Sequence, residues 1–184
     1  MPREDTNPRL DVPMIHYSAM DSPLGRLYLG QHAAGLCVLT LGDGAKEKLF
    51  AYVEKVFPEA ELKASKPVLK ETINQLSEYF SGERIHFDLK MFLSGTEFQK
   101  RVWQGLQEIP YGKTISYGTL ATSLNSPGGM QAVGAANGQN PIPIIIPCHR
   151  VIAADGSMGG YTGGLAIKRK LLDLEPQKYT PTFF

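Results

Sequence analysis

The segment PIPIIIPCHRVI, Pro141 to Ile152, sets a thiol, an imidazole and a guanidinium side by side behind a stiff apolar run. Each proline fixes its own φ and pushes the residue before it toward extended backbone, so the run predicts a strand with Cys148 at its end. Cys148 is one of two cysteines in 184 residues, too few for a disulfide framework or a four-thiolate metal site. It is either a small hydrophobe filling a core or a thiol prepared to react. The adjacent His149 and Arg150 favour the second reading, because a cationic neighbour stabilises the thiolate. Strand alternation would turn Cys148 and His149 to opposite faces, so coupling them calls for a turn or a bridging water.

Upstream, Asn140-Pro141 ends a helical segment, GGMQAVGAANGQ, that opens after Ser126-Pro127. Gly128, Gly129, Gly134 and Gly138 would each cost that helix about 1 kcal/mol relative to alanine. A face of glycine and alanine admits a second backbone at close range, either a protein neighbour or a sugar-phosphate chain. Before it, Ser116 can cap a short helix, YGTLATSLN. Two short helices joined by a tight turn have the spacing of a helix-turn-helix, and equally of two core helices. Earlier still, Thr96 and Gln99 form a capping-box pattern that opens a helix with Phe98, Val102, Leu106 and Ile109 on one stripe, ended by Pro110.

Downstream, DGSMGGYTGGLAIKRKLLDLE gives a glycine-rich loop centred on Tyr161 and Thr162, then a helix with Leu165, Leu171, Leu172 and Leu174 inward. Glu175 closes that helix, where a carboxylate opposes the helix dipole. It either frays into solvent or has another use, such as orienting a histidine in a nucleophile-base-carboxylate relay.

The first half reads differently. IHYSAMDSPLGRLYLGQHAAGLCVLTL alternates apolar and polar residues around turn signals at Ser22-Pro23, Leu24-Gly25 and Ala34-Gly35, which predicts an antiparallel meander. Helices follow, with Leu49, Val53 and Val56 on one face and Leu69, Ile73, Leu76 and Phe80 on another. Glu83 to Gly95 reads as a strand and connector. The division that results is a flexible tail over residues 1–13, an α/β domain with its connector over 14–94, and a second domain over 95–184.

With 42% apolar residues the chain can bury real cores. It shows neither 18 consecutive apolar residues nor a signal-like start, so no membrane partner and a cytoplasmic location are the expectation. Residues 1–94 carry 11 Lys and Arg against 13 Asp and Glu, and the remainder 8 against 5, a bias in the second half small enough for ordinary scatter. Cys37, His16, His32 and His86 lack the close spacing of a zinc motif, so no metal is expected.

NPIPIIIPCHRVI followed by GYTGG, with FQKRVW and IPYGKTISYGTLA before it and LLDLE after, closely resembles the O6-alkylguanine-DNA alkyltransferases, the methylated-DNA–protein-cysteine methyltransferases. The likeness runs from Thr96 to Glu175; the first half shares only the strand-then-helix layout. The resemblance implies a ribonuclease-H-like α/β N-terminal domain and a mainly helical C-terminal domain of winged helix-turn-helix type. It implies DNA repair by irreversible, single-turnover transfer of an alkyl (methyl) group from O6-alkylguanine in double-stranded DNA to Cys148, after nucleotide flipping through the minor groove. No cofactor is implied, and the protein would act as a monomer that could cluster on DNA.

By the same resemblance His149 is the base, acting through a water, and Glu175 orients it. Asn140 ties the recognition helix to the active-site segment. Tyr117 lines the pocket and donates to the guanine ring as O6 departs. Tyr161 and Thr162 form the pocket loop, the backbone at Cys148 and Val151 reads the base edge, and Ala132, Gly134 and Arg150 complete the surface for DNA and base.

One position departs from the family pattern: Gln131 stands where an arginine is expected to replace the flipped base in the stack. Glutamine keeps part of the length and loses the cation. A second reading is therefore an alkyltransferase-like protein that binds lesions with impaired transfer, although such proteins replace the cysteine that is present here. A third, from the bare Cys-His-Glu set, is a thiol hydrolase, which would turn over and need an oxyanion hole.

Overall fold

The computed structural model describes residues 12–126 and 128–175; the expected tail, apart from its last two residues, lies outside the described residues. The meander forms as its alternation requires. Strands β1 (Met14–Ser22), β2 (Gly25–His32) and β3 (Gly35–Thr40) are antiparallel neighbours, with Met20 opposite Leu27 and Tyr28 opposite Thr40. Helix α1 (Ala45–Val56) lays Leu49 and Val53 against Ile15, Cys37 and Val38 on one face of the sheet. Strand β4 (Glu61–Ala64) then pairs parallel to β1 and completes the order β3-β2-β1-β4. Sequence reading omits β4 because four largely exposed residues at a sheet edge carry no hydrophobic alternation.

Helix α2 (Lys70–Ser81) covers the other face of the sheet. Its Leu76 and Tyr79 join Leu27, Leu29 and Leu39 in a core that continues without a break into the second half. The expected strand within Glu83–Gly95 reduces to one bridge, Leu36 with Met91. The cause is local: the Gln75 side chain takes both backbone groups of Asp88, accepting from its N–H and donating to its carbonyl at 2.9 Å each, so that part of the connector has no call for a ladder.

In the second half α3 (Glu97–Gln107) starts in the expected capping box, Thr96 accepting from Gln99 N and Gln99 from Thr96 N, and buries Val102, Trp103 and Leu106. Strand β5 (Ile115–Ser116) leads straight into α4 (Tyr117–Ser123), capped by Ser116 accepting from Thr119 N at 3.0 Å. Helix α5 (Met130–Gly138) is shorter than expected. Gly128, at φ +81°, belongs to the turn before it and Gly129 is the cap, so only Gly134 and Gly138 carry the helical glycine penalty. Trp103 Nε1 donates to Ala136 O at 2.9 Å and ties α5 across α3.

Strand β6 (Val151–Ile152) pairs parallel with β5, and α6 (Leu165–Leu174) closes the described chain. Leu165, expected inward, is 49% exposed, and the inward face of α6 is made by Lys168, Leu171 and Leu172. No helix among the described residues is long and apolar enough to cross a membrane.

Candidate active site

The approach to Cys148 is not the strand expected from its prolines. Residues 141–147 bend and fold into a turn at Ile144–Ile145 closed by one isolated bridge, Pro143 with Ile146, with Ile146 N donating to Ile142 O at 2.9 Å and Ile144 at φ +76°. Three prolines remove the donors a ladder would need, and burial of four isoleucines favours a compact knot. A β-branched residue in left-handed backbone is strained and persists only where its surroundings over-determine it. Asn140 supplies that constraint. Its Nδ2 donates to Ile146 O at 2.8 Å and its Oδ1 accepts from Ile142 N at 3.0 Å, which closes the loop at both ends just after α5.

Cys148, His149 and Arg150 then form a single 3-10 turn, buried throughout. The turn, rather than strand alternation, sets the relation between thiol and imidazole. His149 Nε2 lies 2.9 Å from Glu175 Oε1, and a carboxylate can only accept, so the proton sits on Nε2 and Nδ1 keeps its lone pair. Nδ1 is buried with no hydrogen-bond partner among the described residues.

Glu175 is 1% exposed and is the hub of the site. Arg150 grips it from both sides, Nη2 to Oε1 and Nε to Oε2 at 2.9 Å each, and Gly112 N donates to Oε2 at 3.0 Å. Burial works against its charge, but the hydrogen bonds and charges of His149 and Arg150 prevail and hold the carboxyl down at about 2. Arg150 also donates to Ile109 O at 2.6 Å and is 6% exposed. Its guanidinium is thus committed to the interior. The expectation that Arg150 contacts DNA is corrected on that ground.

The expected acidification of the thiol is corrected as well. Burial pushes Cys148 up to about 11, against the opposing pull of the Asn140 side chain and the Lys168 charge. Burial likewise lowers His149, against the hydrogen bond and charge of Glu175. At neutral pH the pair is a thiol beside a neutral imidazole. A nucleophile of this kind has to lose its proton as it attacks.

Tyr117, Gly134, Asn137, Gly138, Tyr161 and Thr162 are among the residues lining a cavity of about 460 Å³ at this end of the molecule. Burial, then the neighbouring Cys148 thiol, raise both tyrosine phenols. The Tyr161 hydroxyl is buried beside the Cys148 thiol, with no oxygen or nitrogen partner among the described residues. Thr162 Oγ1 donates to Gly138 O at 2.8 Å and fastens the loop to the end of α5. Gly159, at φ +60°, lies where a Cβ would come within 3.1 Å of the Tyr117 ring. Gln131 and Ala132 lie exposed on the first turn of α5, and the Val151 carbonyl accepts from Lys168 Nζ at 2.6 Å.

Two residues here escape sequence reading. Lys168 is fully buried, donates to the carbonyls of Val151, Met158 and Gly160, and so pins the glycine-rich loop to α6. Its signal was available, since Lys168 falls on the same helical stripe as Leu171, Leu172 and Glu175. Asn137 occupies the inward stripe of α5 with Val133 and Ala136, and its Oδ1 is buried with no hydrogen-bond partner among the described residues. A polar residue on an apolar stripe was again the mark. Cys37 fills the N-terminal core and its thiol donates to Gly30 O at 3.3 Å.

Two family models match the chain: the ribonuclease-like domain of 6-O-methylguanine DNA methyltransferase over residues 15–93, and the DNA binding domain of the same protein over residues 97–177. The methylated-DNA–protein-cysteine methyltransferase of Mycobacterium leprae is 46% identical over 164 residues, covering 88% of this chain and 93% of that protein. That of Mycobacterium tuberculosis strain H37Rv is 44% identical over 166 residues, covering 90% and 94%. The crystal structure of Mycobacterium tuberculosis OGT in complex with DNA superposes with a TM-score of 0.76 at 42% identity, covering 86% of this chain and 91% of that one.

Proposed function

The chain belongs to the methylated-DNA–protein-cysteine methyltransferase family of DNA repair enzymes, and on that premise we propose that it moves the alkyl group of O6-alkylguanine in duplex DNA onto Cys148, once per molecule. The observation that carries this reading is the buried set Cys148, His149 and Glu175, with His149 Nδ1 unpartnered among the described residues, near a cavity lined by Tyr117 and Tyr161. His149 takes the thiol proton through a water as sulfur attacks the alkyl carbon, and Glu175 stabilises the imidazolium that forms. The bond from that carbon to O6 breaks and its electron pair returns to the guanine. Tyr117 hydrogen-bonds the departing base and lends it a proton, replaced through solvent by the one gathered at His149. The product is a thioether, which no group in the site can hydrolyse, so turnover stops.

O6 of a paired guanine lies inside the stack, so the nucleotide has to swing out, and a poorly pairing base is cheaper to extrude. DNA is the partner in the related Mycobacterium tuberculosis complex. Here α5 is the element for that contact: Gln131 and Ala132 are exposed on its first turn, and Gly134 and Gly138 keep its surface low beside the cavity. Gln131 is then the side chain that fills the gap left by the flipped base.

Restoring the cation tests this directly. Gln131→Arg is expected to tighten duplex binding, steepen its salt dependence by up to about one counterion, and speed transfer from duplex DNA. Free O6-benzylguanine needs no flipping, so its transfer rate should hardly change. Stopped-flow transfer and binding titrations at several salt concentrations give both numbers. Equal acceleration on the two substrates, or none on the duplex, contradicts the wedge role. Tight lesion binding by the native chain without any transfer would instead favour a lesion-binding protein impaired at Gln131.

A further inference from the structure

Tyr79 sits on α2, in the ribonuclease-like half, yet its hydroxyl donates to Glu175 Oε1 at 2.8 Å from 96 residues away in the chain. That is the oxygen His149 Nε2 shares at 2.9 Å. The phenol is fully buried, its ring held by edge or tilted contacts with Phe80, Phe87 and Tyr111. We infer that Tyr79 is a positioning residue through which the N-terminal half sets the basicity of His149. The inference rests on the reading of His149 as the base.

A donor on Oε1 withdraws charge from the carboxylate and weakens its hold on an imidazolium. Tyr79 and His149 therefore compete for one oxygen. With the phenol present, His149 stays neutral, and able to accept a proton, to lower pH than it otherwise would. The other titratable groups facing the pair are Arg150 and Cys148 from the 3-10 turn, Tyr111 from the loop after α3, Tyr161 from the glycine-rich loop, and Lys168 from α6. All of them keep their own side chains in Tyr79→Phe, so the lost donor to Glu175 Oε1 is the direct change at the pair.

The test is the pH profile of transfer from free O6-benzylguanine to the whole protein, followed by intact mass. In Tyr79→Phe the carboxylate regains charge, His149 becomes easier to protonate, and the acid limb moves to higher pH. Transfer at a pH on that limb should slow about threefold relative to the native chain, while the plateau at higher pH stays put. A purely structural role for Tyr79 scales the rate equally at every pH, and that outcome, an unmoved limb or a limb displaced downward overturns the inference. Placing 3-fluorotyrosine at position 79 keeps ring and hydroxyl but strengthens the donor, so the limb should move the other way; this variant decides the matter if the phenylalanine form does not fold. Absence of any adduct in the native chain would fail the proposed function instead, so the two failures remain distinct.

Discussion

Cys148→Ser is expected to abolish alkyl transfer while leaving duplex binding within about twofold of the native chain. Sulfur is the nucleophile in the proposed reaction, and a hydroxyl in the same place has a far higher pKa and far lower intrinsic reactivity, so the rate should drop by at least about a thousandfold. Binding is spared for a separate reason. Cys148 is 2% exposed, whereas Gln131 and Ala132 on the turn of α5 proposed to meet DNA are exposed. Transfer is read from the mass of the protein after incubation with a duplex holding one O6-methylguanine, and binding from fluorescence anisotropy. Residual transfer in the serine variant would remove Cys148 from its assigned role.

Glu175→Gln should be the most damaging change to the fold as well as to the rate. The native carboxylate accepts from Tyr79, His149, Arg150 and Gly112, and a carboxamide turns a donor toward one of those donors while leaving the Arg150 guanidinium buried without a countercharge. Breaking a buried pair from one side costs about 3–5 kcal/mol. Transfer should slow on the order of a hundredfold through loss of orientation and charge at His149.

The same group sets a pH dependence. Its folded pKa is depressed from 4.5 to about 2, so the stability it contributes is full above the unfolded value and is lost as pH falls through the window from 4.5 to 2. The loss amounts to about 3 kcal/mol. Denaturant titrations at pH 7 and at steps between pH 5 and 2 should show a lower midpoint for Glu175→Gln at pH 7 and a shallower decline on acidification. Matching midpoints at pH 7 would mean that the network contributes nothing net to stability.

The helical half was the more legible one. Its helix starts carry short-range chemistry, Thr96 with Gln99 and Ser116 with Thr119, and such signals act within one turn of backbone. Long-range geometry was not legible. Proline content predicted a strand before Cys148, but the strain at Ile144 and the two hydrogen bonds of Asn140 belong to a loop closed by tertiary packing.

The charge of Arg150 was readable and its direction was not, so the sequence suggests an acidified thiol where the folded chain holds a neutral one. Tyr79 shows the limit most clearly. On its helix it is one more aromatic residue on an apolar stripe, and nothing local announces a hydrogen bond to the far end of the chain. Lys168 and Asn137 could have been flagged, because each interrupts an apolar stripe with a polar group that burial obliges to find a partner.

Intact mass spectrometry of the native chain, incubated with excess O6-methylguanine duplex and followed by peptide mapping, addresses the central claim most directly. The expected result is a gain of about 14 Da, the mass of one methylene, reaching one group per protein and no more, all of it on the peptide that holds Cys148. Demethylation of more than one equivalent of DNA by unmodified protein, or a methyl group found on another residue, would contradict the account.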